Sequence, residues 1–309
     1  MGNVFDRRTL GDLRGHVTRI TERLLDRLQE HLRDAGEADF SALVSEELTI
    51  AAMGQWIGIP EADQPTVRSL SHTHLYSQEL LPSPSQLSAA DVGALGMRDY
   101  FTGLVRDRRA HPGDDVVSGW LRAWDELEPD REAADEAVYY LTMFIVGAAL
   151  ETTSTLLSNL VLVLDQHPDQ RNWLREHPEQ VPQAVEEVLR WDAPVHVTTR
   201  VAGEDTELAG VRIRKDEIVH ALIASANHDP ARFDAPEVFD IARAGRGLTH
   251  LAFGGGVHYC LGAGMARLQA GVLLEALLRR FPALRVSKPP EWEPRVAFRR
   301  LSALHVVEQ

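Results

Sequence analysis

Between Glu132 and Gln166 the sequence holds its longest helical candidate, and through the middle of that run apolar residues occupy nearly every helical face. A helix without a polar side has no place on a surface, so it runs through a core that other elements must surround. A chain of 309 residues can bury such a core. At the centre of this helix the chain reads Gly147, Ala148, Ala149, Leu150, Glu151, Thr152, Thr153. An acid beside a hydroxyl in an oily helix is costly unless water or a cofactor meets it. The bland alternative is a threonine back-bonded to its own helix and a glutamate at a packing boundary. The longest apolar stretch, Val138 to Leu150, is too short to span a bilayer.

Amphipathic helices are predicted around it. Leu13, Val17, Ile20, Leu24, Leu25, Leu28 and Leu32 recur at helical spacing, and Ala35 with Gly36 supplies a C-cap signal. Further helices are expected over Phe40 to Ile57, stopped by Gly58 and Pro60, and over Asp91 to Arg109, Asp115 to Trp124, Gln183 to Trp191 and Ala263 to Arg280. Pro82 and Pro84 mark a loop between two helices in the more polar stretch 61–92. His72 and His74 lie there at i and i+2, share no helix face, and read as solvated side chains rather than metal ligands. After Pro194 the period shifts toward two: Val195 to Val201, Thr206 to Ile213 and Glu217 to Ile223 read as strands, with Ala209 and Gly210 a turn. Leu284 to Val286 and Val296 to Val307 close the chain as strands. The expected fold class is mainly α with small β-sheets, as one domain over 1–309 with a helix-rich part over about 9–191 and a β and irregular part over about 195–309.

The single cysteine, Cys260, sits in the run Phe253, Gly254, Gly255, Gly256, Val257, His258, Tyr259, Cys260, Leu261, Gly262, Ala263, Gly264, directly ahead of a helix. A thiolate there is stabilised by the positive end of the helix dipole and by unpaired amides, and so stays ionised at neutral pH. The glycines let backbone pass close to a flat bulky group. A phosphate loop is excluded as the simple rival, because Val257, His258 and Tyr259 stand where Lys and Ser or Thr are needed. The remaining alternative is a small buried cysteine in a turn.

Phe253, Gly256, His258, Cys260 and Gly262 fall in the pattern Phe-x-x-Gly-x-His-x-Cys-x-Gly, which resembles the haem-binding loop of the cytochrome P450 family. The resemblance implies a cytochrome P450-like fold and haem b (iron protoporphyrin IX), with Cys260 as the axial thiolate ligand to iron. It also implies that Phe253, Gly254 and Gly262 shape the cofactor pocket and that His258 and Arg200 face haem propionates. Ala148 to Thr152 resembles the family's oxygen-activating segment, in which Thr152 would hydrogen-bond the oxygen being activated and Glu151 would relay protons to it. Ala149 departs from the pattern, standing where the family usually has Gly. Glu187 and Arg190 match the family's Glu-x-x-Arg, which with a later arginine, here Arg243, builds a structural charged triad. Asn227 to His250 reads as the family's irregular meander.

Lys plus Arg at 32 against Asp plus Glu at 46 gives a net charge of −14, which argues against nucleic acid or an anionic membrane as partner. One cysteine excludes an internal disulfide, and the N-terminus lacks a signal-peptide pattern, so a cytoplasmic protein is expected. By resemblance the chain begins late, without a stretch of roughly 90 residues that members carry ahead of the helix near Thr9. The activity implied is a monooxygenase acting on a small organic substrate, a secondary metabolite, with O2 and electrons from a ferredoxin or flavin-type donor. The other readings are a non-catalytic relative that stabilises a partner enzyme such as a glycosyltransferase, and an isomerase or peroxygenase on the same haem.

Overall fold

The computed structural model describes residues 7–246 and 249–308. Helix α1 (Arg7–Ala35) stops at Gly36, whose φ of 76° only glycine adopts without strain, and the Gly36 amide donates to Leu32 O at 2.9 Å. After β1 (Ala38–Asp39) comes a π-helical turn, Ser41–Ser45, and then α2 (Glu46–Ile57). The sequence predicts unbroken helix from Phe40. The wider turn falls where Ser41 and Ser45 hydroxyls each lie 2.9 Å from the Ser158 hydroxyl of the long helix. Gly58, with φ 92°, ends α2 as expected.

Helix α3 (Gln64–His74) is followed by α4 (Pro84–Ala110), which Ser83 and Gln86 open as a capping box. Asp115 and Asp130 cap α5 (Val116–Leu127) and α6 (Arg131–Gln166). Then follow α7 (Pro168–Glu176) and α8 (Val181–Trp191). Helix α6 belongs to both large cores. Its N-terminal half packs with α2, α4 and α5 through residues such as Ile50, Phe101 and Val117; its C-terminal half packs with α1 and α8 through Leu25, Leu28 and Val188. By length and composition this helix could cross a membrane, with a mean hydropathy of 1.4 over its most apolar window, which corrects the sequence expectation; yet 83% of that window is buried in the fold, as a core helix requires.

Strands β2 (Val197–Val201), β3 (Thr206–Leu208), β4 (Val211–Ile213) and β5 (Ile218–Leu222) form two antiparallel pairs, β2 with β5 and β3 with β4. The β3–β4 turn is at Ala209 and Gly210, both with positive φ, as a tight hairpin demands. Helix α9 (Ile223–Ala226) opens the meander, and α10 (Ala263–Arg280) follows the cysteine loop with the bounds the sequence predicts. The chain closes on β6 (Leu284–Val286), β7 (Glu291–Trp292), β8 (Leu301–Ala303) and β9 (His305–Glu308), with β9 between β1 and β6 in a three-stranded sheet. Residues 296–300, expected as strand, are not. Phe298 makes an isolated antiparallel bridge to Val195, with His196 N donating to Ala297 O at 2.8 Å and Arg299 N to Pro194 O at 2.9 Å, and the Glu79 carboxylate accepts from the amides of Val296, Ala297 and Phe298 at 2.9, 2.9 and 3.3 Å.

Candidate functional site

Two backbone bonds fold the cysteine loop: Gly254 N to Leu251 O and Cys260 N to Phe253 O, both 2.8 Å. Gly254 and Gly256 hold φ of 69° and 62°, where any other residue is strained. A Cβ added at Gly255 or Gly256 would meet nothing within 4 Å, so open space borders the loop. Cys260 is exposed. Partial burial of its sulfur raises the thiol above its ordinary value and outweighs the amides of Gly262 and Ala263 and the Arg267 guanidinium, which pull it down. This differs from the sequence expectation that the helix dipole and unpaired amides together keep the sulfur ionised.

The loop is held from behind. Arg267 of α10 lies 4.5 Å over the Phe253 ring, donates to Tyr259 Oη at 3.1 Å and makes a two-pronged bond to Glu186 of α8 at 2.6 and 2.8 Å. The His250 ring lies 3.2 Å from the same carboxylate. Burial pushes the Glu186 carboxyl up, but Arg267 and His250 more than offset it and hold it at about 2.

Deeper lies the charged triad. Arg190 grips Glu187 through Nε and Nη2 at 2.9 and 2.8 Å, and Arg243 Nε reaches Glu187 Oε1 at 3.3 Å, so Arg243 is the third member that the resemblance implied. The exposures of these side chains are 1–4%. The two guanidiniums also bond the meander carbonyls of Asn227, Pro236, Val238, Asp234 and Ala235. Asn227 Oδ1 then accepts from Leu251 N at 2.7 Å, which ties the triad to the entry of the cysteine loop. His228, expected to make a structural bond, lies 3.0 Å from Ala224 O through Nδ1.

On α6 the acid and the hydroxyl part company. Thr152 Oγ1 donates to Ala148 O at 2.8 Å, the back-bonded arrangement. Tyr140 (57% exposed), Phe144 (71%) and Ala148 precede Thr152 at intervals of four, an open stripe on a helix otherwise enclosed. Glu151 is 5% exposed and points elsewhere, with Oε1 2.6 Å from Arg295 and Oε2 3.0 Å from His72 Nδ1. Burial raises its carboxyl, but His72, Arg295 and Arg300 outweigh that and keep it below the ordinary carboxylate value. Arg295, wholly buried, is also 2.8 Å from Glu79. Two expectations are corrected here. His72 is not a solvated side chain but part of this ion cluster, and His74 packs toward Gly147 with its Nδ1 buried and burial lowering its pKa. Sequence reasoning missed Glu79, Glu186, Arg267, Arg295 and Arg300, since lone charges carry no periodic signal.

Met265 in the first turn of α10 and Leu150 of α6 belong to one apolar core, and Ala149 packs against that core. Around the sulfur stand exposed Val257, Tyr259 and Leu261. His258 is exposed without a hydrogen-bond partner among the described residues. Arg200, exposed on β2, bonds only Thr198 Oγ1 and Thr199 O, at 3.0 and 2.8 Å, and makes no ion pair among the described residues. An open sulfur met by two amides, in a loop whose glycines leave space and which carries exposed Val257, Tyr259 and Leu261, fits a flat, mostly apolar group that carries a metal.

A family model described as Cytochrome P450 matches residues 115–303. The chain is 35% identical over 304 residues to the biotin biosynthesis cytochrome P450 of Bacillus subtilis, covering 98% of this chain and 74% of that protein. It is 35% identical over 284 residues to the putative cytochrome P450 140 of Mycobacterium tuberculosis, covering 92% of this chain and 64% of the relative. Among solved structures, P450BioI in complex with hexadec-9Z-enoic acid ligated acyl carrier protein superposes with a TM-score of 0.91 at 33% identity, over 100% of this chain and 77% of the other.

Proposed function

This chain belongs to the cytochrome P450 family, and from that premise we propose that it serves as a haem-thiolate monooxygenase inserting one oxygen atom of O2 into a small organic substrate. Proteins of the family bind haem b. When bound, that group supplies an iron centre that activates O2 with two electrons, here from a ferredoxin or flavin-type donor. Cys260 would hold the iron, with Gly262 and Ala263 amides turned to the sulfur to moderate its charge. Phe253, Gly254 and Gly262 shape the wall on the sulfur side, and Arg200 and His258 would take the acidic arms. Thr152 would position oxygen from the open face of α6, and Glu151, ionised at rest in its ion cluster, would relay protons to it. The apolar stripe of Tyr140 and Phe144 supports a substrate of apolar character, and a second Bacillus subtilis relative, the polyketide biosynthesis cytochrome P450 PksS, 32% identical over 307 residues, supports a secondary metabolite as its class. The acidic charge and the core role of α6 support a cytoplasmic protein that binds neither nucleic acid nor membrane.

The observation that carries this reading is the presented sulfur of Cys260 in its glycine loop. The carbon monoxide difference spectrum of the reduced, haem-supplied protein tests it. A thiolate-type Soret band is expected; a chain that takes up haem and gives none refutes the assignment of Cys260.

A further inference from the structure

The contacts of one histidine cannot all be satisfied by one placement of its protons. His72 Nδ1 lies 3.0 Å from Glu151 Oε2 and 2.9 Å from Nη1 of Arg300. A guanidinium only donates, so Nδ1 can meet Arg300 only with its lone pair. It can meet an ionised carboxylate only with a proton. With the proton on Nδ1 the Glu151 contact is made and the Arg300 contact is repulsive; with the proton on Glu151, the single lone pair of Nδ1 is open to a donor, from the carboxyl or from Arg300. The site is built to hold one proton between two positions.

The other ring nitrogen faces outward. His72 Nε2 is 3.3 Å from Tyr76 Oη and 3.6 Å from Glu293, and the side chain is 27% exposed, whereas Glu151 on α6 is 4% exposed. Arg295 and Arg300 approach from the C-terminal segment, and Glu46 of α2 joins Arg300 at 2.5 Å and Arg68 at 3.6 Å. A cavity of about 30 Å3 bordered by Glu46, Arg68, His72, Glu151 and Arg300 has room for water beside the pair.

We propose that His72 is the solvent-side proton relay that acts through Glu151. Hydronium from solvent gives a proton to Nε2 and leaves as water, and the Nδ1–H bond breaks as an O–H bond forms on Glu151 Oε2. The neutral ring, now protonated on Nε2 alone, is reset when Nδ1 takes up a proton from water as Nε2 releases one. No electron moves. Glu151 then rotates its carboxyl toward the open face of α6. The proposal deepens the oxygen-activating reading and rests on it; His72 is a positioning residue for Glu151, since it does not itself border the stripe.

Two measurements test this, the first without haem. In the haem-free chain with 13C-labelled glutamate, the Glu151 carboxyl signal, assigned by its loss in Glu151→Gln, should show a step at the pH where the His72 ring titrates. In His72→Gln, which keeps a hydrogen-bonding amide but cannot carry a proton, that step should vanish. Second, the haem-loaded protein driven by a surrogate ferredoxin and its reductase reduces O2 to H2O2, taking two electrons and two protons. Its rate should fall at high pH through the His72 midpoint, and His72→Gln should run roughly ten-fold slower without that limb, somewhat less than a direct general acid contributes, because water offers a bypass. A Glu151 signal with no step at the His72 midpoint, or a step that survives in His72→Gln, overturns the proposal, as does a wild-type pH profile in His72→Gln. If His72→Gln fails to fold, the wild-type titration decides alone. The carbon monoxide spectrum is recorded on the same haem-loaded sample, so a missing thiolate band counts against Cys260 while the haem-free titration still judges His72.

Discussion

Replacing Glu187 by Gln should destabilise the protein by about 3 kcal/mol, the lower end of the range for breaking one partner of a buried ion pair. The triad side chains are 1–4% exposed, so two guanidiniums would remain in the interior with no counter-charge. Gln still accepts from Arg190 through one oxygen, but its amide then faces a second guanidinium N–H, donor against donor. Asp240 N, which donates to Glu187 Oε1 at 3.0 Å, competes for the same atom. In a chain of this size that loss corresponds to a fall in melting temperature of roughly 4–5 °C, read by calorimetry at neutral pH. The damage should spread along the triad's own bonds: hydrogen exchange should quicken through the meander carbonyl partners and at Leu251, whose amide Asn227 holds. Apolar replacement of all three side chains should not rescue stability, because five meander carbonyls would lose their donors. A loss below about 1 kcal/mol for Glu187→Gln, with exchange at Leu251 unchanged, would refute the view that this carboxylate is uncompensated when neutralised.

Three other perturbations probe the loop itself. Glu186 has a folded pKa of about 2 against an ordinary 4.5, so its stabilisation is complete above 4.5 and drains away as pH falls toward 2. The shift is worth up to about 3 kcal/mol, reduced to about 1–2 by solvent at a carboxylate 30% exposed, and urea unfolding at pH 7 and pH 3 should show a smaller difference in Glu186→Gln than in the natural chain. Cys260→Ser should leave the unfolding midpoint unchanged, since the residue is exposed, while abolishing the thiolate-type carbon monoxide band. Arg200→Ala should likewise spare the fold but weaken haem binding roughly ten-fold in a spectral titration, the size of a lost charge-assisted hydrogen bond.

Much of the frame was legible because it is written in local chemistry. Gly36 and Gly58 stop helices by adopting positive φ, and the period of three to four residues after Gly262 gives α10 its full extent. The pair Glu187 and Arg190 was visible as one helical turn, but that alone describes a solvated pair as well as a buried one; Arg243, 53 residues on from Arg190, entered only through the family resemblance. Glu79 was not legible at all. Nothing in its neighbourhood marks an acid that ends up 3% exposed, satisfying three amides near the far end of the chain. Periodicity reports the face an element buries, not which distant charge meets it. The error on His72 has the same root: comparing it with His74 tests whether the two share a ligand, whereas each separately meets α6.

The long helix shows how adjacent residues acquire opposite duties. Successive positions on an α-helix differ by about 100° in direction, so Glu151 and Thr152 cannot both face one neighbour. On the fold described, the stripe of Tyr140, Phe144 and Ala148 fixes the open direction, and Thr152 continues it at the same interval. Glu151 is thereby turned toward the α3 and C-terminal side, where Arg295, Arg300 and His72 hold it ionised below its ordinary value. A carboxylate so held is a poor acid where it rests, so a proton must be delivered to it from a neighbour, and His72, 3.0 Å away with its side chain 27% exposed, has one ring nitrogen to receive a proton and another to pass one on. Placing the hydroxyl on the reactive face and the acid behind it separates the positioning of oxygen from the supply of protons. Exchanging the two residues, Glu151→Thr with Thr152→Glu, would bury a hydroxyl between two guanidiniums and an imidazole and leave Arg295 and Arg300 without that carboxylate, which is why their order in the sequence matters as much as their presence.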